Sequence, residues 1–451
     1  MDTLILEFKT AFASMKGDRL AETLRPDVQL YSKKLLSIYG GGNIEDAEAD
    51  LKYFLDTDPS RPRLSREEAN GWYEIYLAYW SALGEILAVE GLRDAKSSWE
   101  RVYESWKVLT HKVIRGYTNF DFENWTIPCL YVAGKYLRLF AIKADEERKN
   151  NTDGATEDVM QDDFDPEKEE NKMLQDCTSH LTRIFQTCLN DRAPLEESRK
   201  WGIYYAINLL FKSYFKLNSA TLSKNVLRAI QAGRGDMPTL DKFPKSQQVT
   251  FKYYEGVLSF LEENYEDAER HLTMAWQMCH KDAKRNLEMI LTYLIPCHLL
   301  TTNTLPSSRL LAPFPRLQEL FLPLGAAIKK GDLHAFDTAL RDGEDEFIKR
   351  RIYLTLERGR DIALRNLLRK VFIAGGSEEA KDGGAPVRRT RIPVAEFAAA
   401  IKISGEEDID TDEVECLLAN MIYKNLMKGY IAHGPGIVVL SKTGPFPGTG
   451  V

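Results

Sequence analysis

Cysteine is scarce, six in 451 residues, and no two stand in a CxxC pair. Zinc-ribbon and dithiol redox chemistry are therefore excluded by spacing, and a reducing cytosolic or nuclear compartment fits best. Long apolar runs are missing too: none approaches the roughly 18 residues that a membrane-spanning helix requires. The opening stretch Met1-Asp2-Thr3-Leu4-Ile5-Leu6-Glu7 has no basic region ahead of its short apolar run, so it does not read as a secretory signal. Catalytic signatures are absent: no Walker lysine follows a glycine-rich loop, and there is no HExxH or hydrolase motif. Gly40-Gly41-Gly42 follows a helical pattern rather than opening a nucleotide-binding unit. The doublets Cys279-His280 and Cys297-His298 place adjacent side chains about 100° apart on a helix, whereas structural zinc favours spacers of about two to four residues. The expectation is a chain that is not an enzyme and needs no cofactor or metal. A globally basic coat for nucleic acid is excluded as well, since 60 Lys and Arg face 67 Asp and Glu for a net charge of −7.

What is present is a large, mostly helical chain, whose length suggests about three folding units and whose 44% hydrophobic content is ample for buried cores. Residues 144–170 carry twelve acids and three bases, a local charge of −9 that leaves the rest of the protein at +2. So charged and apolar-poor a run cannot bury enough surface to offset its ordering entropy. It reads as a solvated, disordered insertion over 144–172, with an acidic interaction segment as the alternative. On both sides, from Trp72 to Tyr117 and from Met173 through Phe260 to Leu300, aromatic and aliphatic residues recur every three or four positions and prolines fall at boundaries. Trp72, Tyr76, Tyr79 and Trp80 read as core at that spacing, with peptide binding as the alternative.

Tyr253-Tyr254-x-Gly256-x-Leu258-x-Phe260 followed by Asn264-Tyr265, Ala268, Leu272 and Ala275-Trp276 has the pattern of a tetratricopeptide-type hairpin. Small Gly256 and Ala268 let two helices approach, and Tyr265 and Trp276 fill the groove to the next pair. Similar pairs are suggested at Trp201–Ile230 and at Leu324–Leu340, where Lys330-Gly331-Asp332 turns. After a polar linker the character changes. A short helix is predicted from Pro393 to Ile401, an acidic turn from Ser404 to Asp410, and an amphipathic helix from Asp412 to Met427. Tyr430-Ile431-Ala432-His433 and Ile437-Val438-Val439-Leu440-Ser441 then read as two strands about a Gly434-Pro435-Gly436 turn. The predicted class is mainly α: a right-handed, tetratricopeptide-like helical-repeat solenoid capped by a C-terminal winged helix. Its expected parts are helical repeats over 1–143, the insertion, further repeats over 173–374, a polar and basic linker over 375–390, and the winged helix over 391–451.

That arrangement resembles PCI domains, named for the proteasome lid, the COP9 signalosome and an initiation factor. Arg365-Asn366-Leu367-x-x-Lys370-Val371, Asp410-x-Asp412-Glu413-Val414-x-Cys416, Leu418-Ala419-Asn420-x-Ile422-Tyr423, Lys428-Gly429-Tyr430-Ile431 and Val439-x-Ser441-Lys442-x-x-Pro445-Phe446-Pro447 carry the likeness. They are similar to the family of PCI-domain-containing protein 2, the fungal proteins called COP9 signalosome subunit 12, and the PCI subunit of the pore-associated mRNA-export complex. The resemblance extends from about Trp125 to the end. It implies a non-catalytic subunit that pairs with a larger PCI scaffold protein and with the small acidic, largely disordered subunit shared with the proteasome lid. The setting it implies is transcription-coupled mRNA processing, splicing or export, in the nucleus, at the nuclear pore, and also in the cytoplasm. An accessory subunit of a signalosome-like deconjugating complex, without a nucleic-acid role, is the alternative.

One charge asymmetry bears on function. Between Phe347 and Arg391 twelve bases face five acids, a local +7 that suits a phosphate backbone. The candidate nucleic-acid residues are Lys349, Arg350, Arg351, Arg365, Arg369, Lys370, Arg388, Arg389 and Arg391, with Lys424, Lys428 and Lys442 from the winged helix. Intramolecular ion pairs, or docking of the acidic subunit, are the competing uses of these cations. The approach to the expected recognition helix carries Glu406, Glu407, Asp408, Asp410, Asp412, Glu413 and Glu415, so any binding of RNA or DNA is expected to be backbone-directed and sequence-tolerant. The candidate partner interface is the wing: Tyr430, Ile431, Ile437, Val438 and Val439.

Overall fold

Helix Arg66–Val89 shows how the sequence writes this fold. Ser65 accepts from the Glu68 amide while the Glu68 carboxylate accepts from the Ser65 amide, a reciprocal cap that fixes the first turn. Downstream, Trp72, Ile75, Tyr76, Tyr79, Trp80 and Leu83 repeat at helical spacing and are all buried. The computed structural model describes residues 1–40, 43–58, 62, 64–152, 171–378, 387–405 and 408–450. They divide into two compact units, Met1–Phe251 and Lys252–Val451.

In the first unit, Arg66–Val89 packs on Trp99–Asn119, which packs on Pro128–Thr152, which packs on Lys172–Leu189. The aromatic stripe is core, as its period suggests, and its polar tips are satisfied: Tyr79 donates to the Arg25 carbonyl at 3.1 Å and Trp106 to that of Ala133 at 3.0 Å. Helices Ile203–Lys216 and Leu222–Ala232 occupy the pair suggested at Trp201–Ile230. The acidic insertion, placed at 144–172 from composition, begins later than that. Helix Pro128–Thr152 continues through its first residues, with Ala144 buried and Asp145 only 5% exposed. Asp145 accepts from the amides of Met173 and Leu174, both at 2.9 Å, and the Glu147 carboxylate accepts from the Trp99 amide at 2.8 Å. Here acids are structural acceptors, which a charge count does not distinguish from solvated ones. The rest of the insertion, 153–170, lies outside the described residues.

In the second unit, Tyr265–Met278 packs on Lys284–Thr301, and the hairpin with the preceding helix Lys245–Leu261 closes at Gly256 of that helix, where a Cβ would stand 2.6 Å from Leu272 Cγ. Gly331 ends Pro315–Lys330 in the left-handed region at φ 65°, and Asp332 caps Leu333–Asp342 by accepting from the Ala335 amide at 3.0 Å. Prolines do not all fall at boundaries: Pro296 and Pro323 sit inside helices, each removing one backbone donor from its ladder.

Of the linker, Ser377–Glu378 (β1) and Val387–Arg388 (β2) form a two-stranded antiparallel ladder, and 379–386 lie outside the described residues. The C-terminal module follows as Arg391–Pro393 (β3), helices Val394–Ile403 and Thr411–Tyr423, Gly429–Ala432 (β4) and Ile437–Leu440 (β5). The strands form an antiparallel sheet in the order β3-β5-β4. The fold is thus mainly α, helical-repeat pairs ending in a winged helix. Strand β3 escaped the sequence pattern because three residues are too few to show alternation.

Candidate partner and nucleic-acid interface

The wing sheet sorts its side chains by register. Arg391 and Tyr430 both pair with Val439, and Ile392 and Ile431 both pair with Val438. Directly opposed residues share a face and neighbours along a strand alternate, so Arg391, Val439 and Tyr430 form one outward row. Pro393, Ile437 and Ala432 form a second outward row. Tyr430 is 62% exposed at the β4 edge, whereas Val438 is 0% exposed and packs inward with buried Ile392. At one end of the sheet three backbone bonds of 2.8 Å tie the strand flanks to one another and to the terminal segment: Leu440 donates to Thr390, Ser441 to Lys428, and Lys428 to Pro445. Phe446 then packs on Phe372 of helix Gly359–Ala374, with ring centroids 5.8 Å apart, and Arg388 lies 5.6 Å from the same Phe372 ring. Basic residues distant in sequence thus meet around one sheet end.

This helix and the winged helix lie within residues 340–442, which match the family model described as PCI domain. Over its full length, and that of the relative, the chain is 63% identical to the "Protein CSN12 homolog" of Neurospora crassa. The chain belongs to the CSN12-homolog family of PCI-domain proteins. The Schizosaccharomyces pombe homolog is 41% identical over 71% of each chain. "PCI domain-containing protein 2" of Danio rerio is 32% identical, covering 76% of this chain and 78% of its own. No enzyme family appears among these matches, and no described helix is long and apolar enough to cross a membrane.

Within this PCI domain the twelve candidate cations fall into separate places. Arg388, Arg391, Lys428 and Lys442 are exposed around the sheet end, and none makes an ion pair among the described residues. Arg389 belongs to the same end but is engaged by Glu396 at 2.7 Å. Arg369 donates to the Thr449 carbonyl at 3.4 Å, and Lys370 to the Lys330 carbonyl at 2.7 Å. Lys424 pairs with Asp361 at 2.5 Å. Lys349, Arg350 and Arg351 stand elsewhere, at the end of helix Glu344–Lys349, where Arg350 holds Glu346 at 3.0 Å.

Two assignments are corrected by burial. Arg365 is 6% exposed, on the inner side of Gly359–Ala374, and burial lowers its pKa, with the Arg369 charge adding to the effect. A sequence-tolerant phosphate contact requires an open guanidinium, so Arg365 is not one. Val438 fills the winged-helix core, because on the central strand β5 it alternates onto the inward face while Ile437 and Val439 face outward. An exposed aromatic that the sequence reading did not single out is Tyr423, 88% exposed on helix Thr411–Tyr423. Val414, Leu418 and Met421 define the buried face of that helix, so a helical wheel puts Tyr423 off the core and would have found it. The acidic start of this helix is also explained: Asp410 and Glu413 form its reciprocal cap.

Proposed function

We propose that the chain is a non-catalytic scaffold subunit of a PCI-containing nuclear complex, working at the nuclear pore and in the cytoplasm as well. It pairs through the outward face of its wing with a larger PCI protein, and the assembly also takes in the small acidic subunit. The basic sheet end adds a sequence-tolerant surface for RNA or DNA in transcription-coupled mRNA processing or export. The observation that supports this reading is the gathering of Arg388, Arg391, Lys428 and Lys442, exposed and without ion pairs among the described residues, beside the exposed row that ends in Tyr430. Aromatic and basic groups together suit single strands, where each phosphate contact contributes little and several must act at once.

The test is a gel shift on the complex recovered with the tagged chain, comparing wild type with the Arg391→Glu, Lys428→Glu, Lys442→Glu triple variant. Equal loss on unrelated sequences is expected, with a log-log salt slope shallower by about 2, from about 0.7 per single-strand contact. Unchanged affinity and slope in an intact complex would count against the nucleic-acid role. The accessory reading, a deconjugating complex without nucleic acid, is favoured by the internal pairing of Arg350, Arg389 and Lys424. Stoichiometric partners identified after purification separate the two.

A further inference from the structure

Helices Lys284–Thr301, Pro315–Lys330 and Glu344–Lys349 enclose a cavity of about 360 Å³ in the second unit. Three guanidinium groups reach it from three directions: Arg285, Arg316 and Arg350. Glu346 bridges two of them, accepting from Arg316 and, at 3.0 Å, from Arg350. Burial pushes the Glu346 carboxyl up, but the hydrogen bonds from Arg350 and Arg316 outweigh it and hold the pKa below the usual carboxylate value. Arg285, on helix Lys284–Thr301, is exposed and makes no ion pair among the described residues. Glu288 is the other lining acid, so three arginines face two carboxylates in the lining. The floor is apolar, with Phe321 and Phe347 both buried.

We propose that this cleft binds a phosphorylated serine or threonine of a partner protein. A phosphomonoester carries roughly −1.5 to −2 charges at neutral pH and three strong acceptor oxygens. It can take Arg285 outright and share Arg316 and Arg350 with Glu346, forming charge-assisted and bidentate bonds of the kind arginine favours. A phosphodiester, with one charge, gains less against a carboxylate already in place. The shape argues the same way, since nucleic acid tracks open grooves and stacks on exposed rings, and the two lining phenylalanines are buried. An apolar floor beside an arginine cluster instead suits a short peptide whose neighbouring side chain is hydrophobic. The inference rests on the scaffold part of the proposed function, because a partner must carry the phosphate, and not on its nucleic-acid part.

The test uses the full-length protein and an oriented peptide library with one fixed phosphoserine and degenerate flanks, against the same library built on serine. Enrichment on the phosphorylated library is expected. The best peptide, measured by fluorescence polarisation, should lose about tenfold or more in affinity with Arg285→Glu at an unchanged melting temperature, and keep part of it with Arg285→Lys. The proposal is overturned by equal recovery from both libraries, by unchanged affinity in the folded Arg285→Glu protein, or by a 5′-phosphorylated oligonucleotide that displaces the peptide at lower concentration. Co-purification of the partner with wild type, measured alongside, keeps a failure here distinct from a failure of the scaffold reading.

Discussion

Replacing Asp145 with alanine should destabilise the first unit far more than its place in an acidic run suggests. Helix Lys172–Leu189 begins at Asn171, whose side chain makes no capping bond. The carboxylate that accepts from its first amides comes instead from Asp145, twenty-eight residues before Met173, within helix Pro128–Thr152. Both bonds are 2.9 Å and buried, so alanine leaves two amides dry. Loss of a cap costs about 1 kcal/mol and unsatisfied buried donors about 1–3 kcal/mol. Against this stands the desolvation of the carboxylate, which pushes its pKa up although both amides pull it down. The balance is about 2–3 kcal/mol. For a unit of 251 residues, at about 2–4 °C per kcal/mol, the melting temperature should fall by about 4–12 °C in differential scanning calorimetry. Glu146→Ala is the internal control, since Glu146 is 64% exposed and stands 3.7 Å from Lys216, and it should cost less than about 0.5 kcal/mol. If Asp145→Ala melts within a degree of wild type, the amides are reached by water and the cap argument is refuted.

Val438→Asp should abolish the folded winged helix, at a cost above about 3 kcal/mol, while Tyr430→Ala leaves stability nearly unchanged and weakens recovery of the larger PCI partner; limited proteolysis and co-purification read the two. Gly331→Ala should lower the melting temperature of the second unit, because its φ of 65° is left-handed and the new Cβ would stand 2.5 Å from the Leu367 amide nitrogen; an unchanged melt would show that the turn can relax. His111 and His180 lie with rings 4.9 Å apart, and burial lowers both pKa values, with Arg183 and Lys107 adding to this and Asp176 opposing it. Both therefore take up protons less readily in the fold than in the unfolded chain, which protonates as pH falls through about 6.5, so stability should fall as pH drops from 7 toward 5.5. His180→Gln should flatten that dependence, and an identical slope in the variant would remove the pair from the explanation.

Helix positions were legible where their signals are local: Gly331 after Lys330, and the aromatic period from Trp72. The two units' cores follow from the same period. What escaped depends on partners far along the chain. Asp145 looks like any other acid of its run until Met173 is brought to it. Arg365 looks like its neighbours on a basic helix until the face it occupies is known. Val438 and Tyr430 belong to strands read correctly, but which strand is central depends on β3, whose three residues carry no pattern of their own. Arg285 and Arg316 lie outside the basic window that composition picked out, and only the fold brings them into one cavity with Arg350.

The strand order also governs how the molecule is made. In β3-β5-β4 the middle strand is the last to leave the ribosome, so a nascent chain halted before Ile437 has both outer strands and nothing between them. Ile392 would then remain open to water, and two strands would each offer an unpaired inner edge. Synthesis at about 5–20 residues per second lets the repeats fold first, while the winged helix waits for its final stretch. Interruptions between Ala432 and Ile437 thus leave a helical body whose sheet has two outer strands and an open place between them.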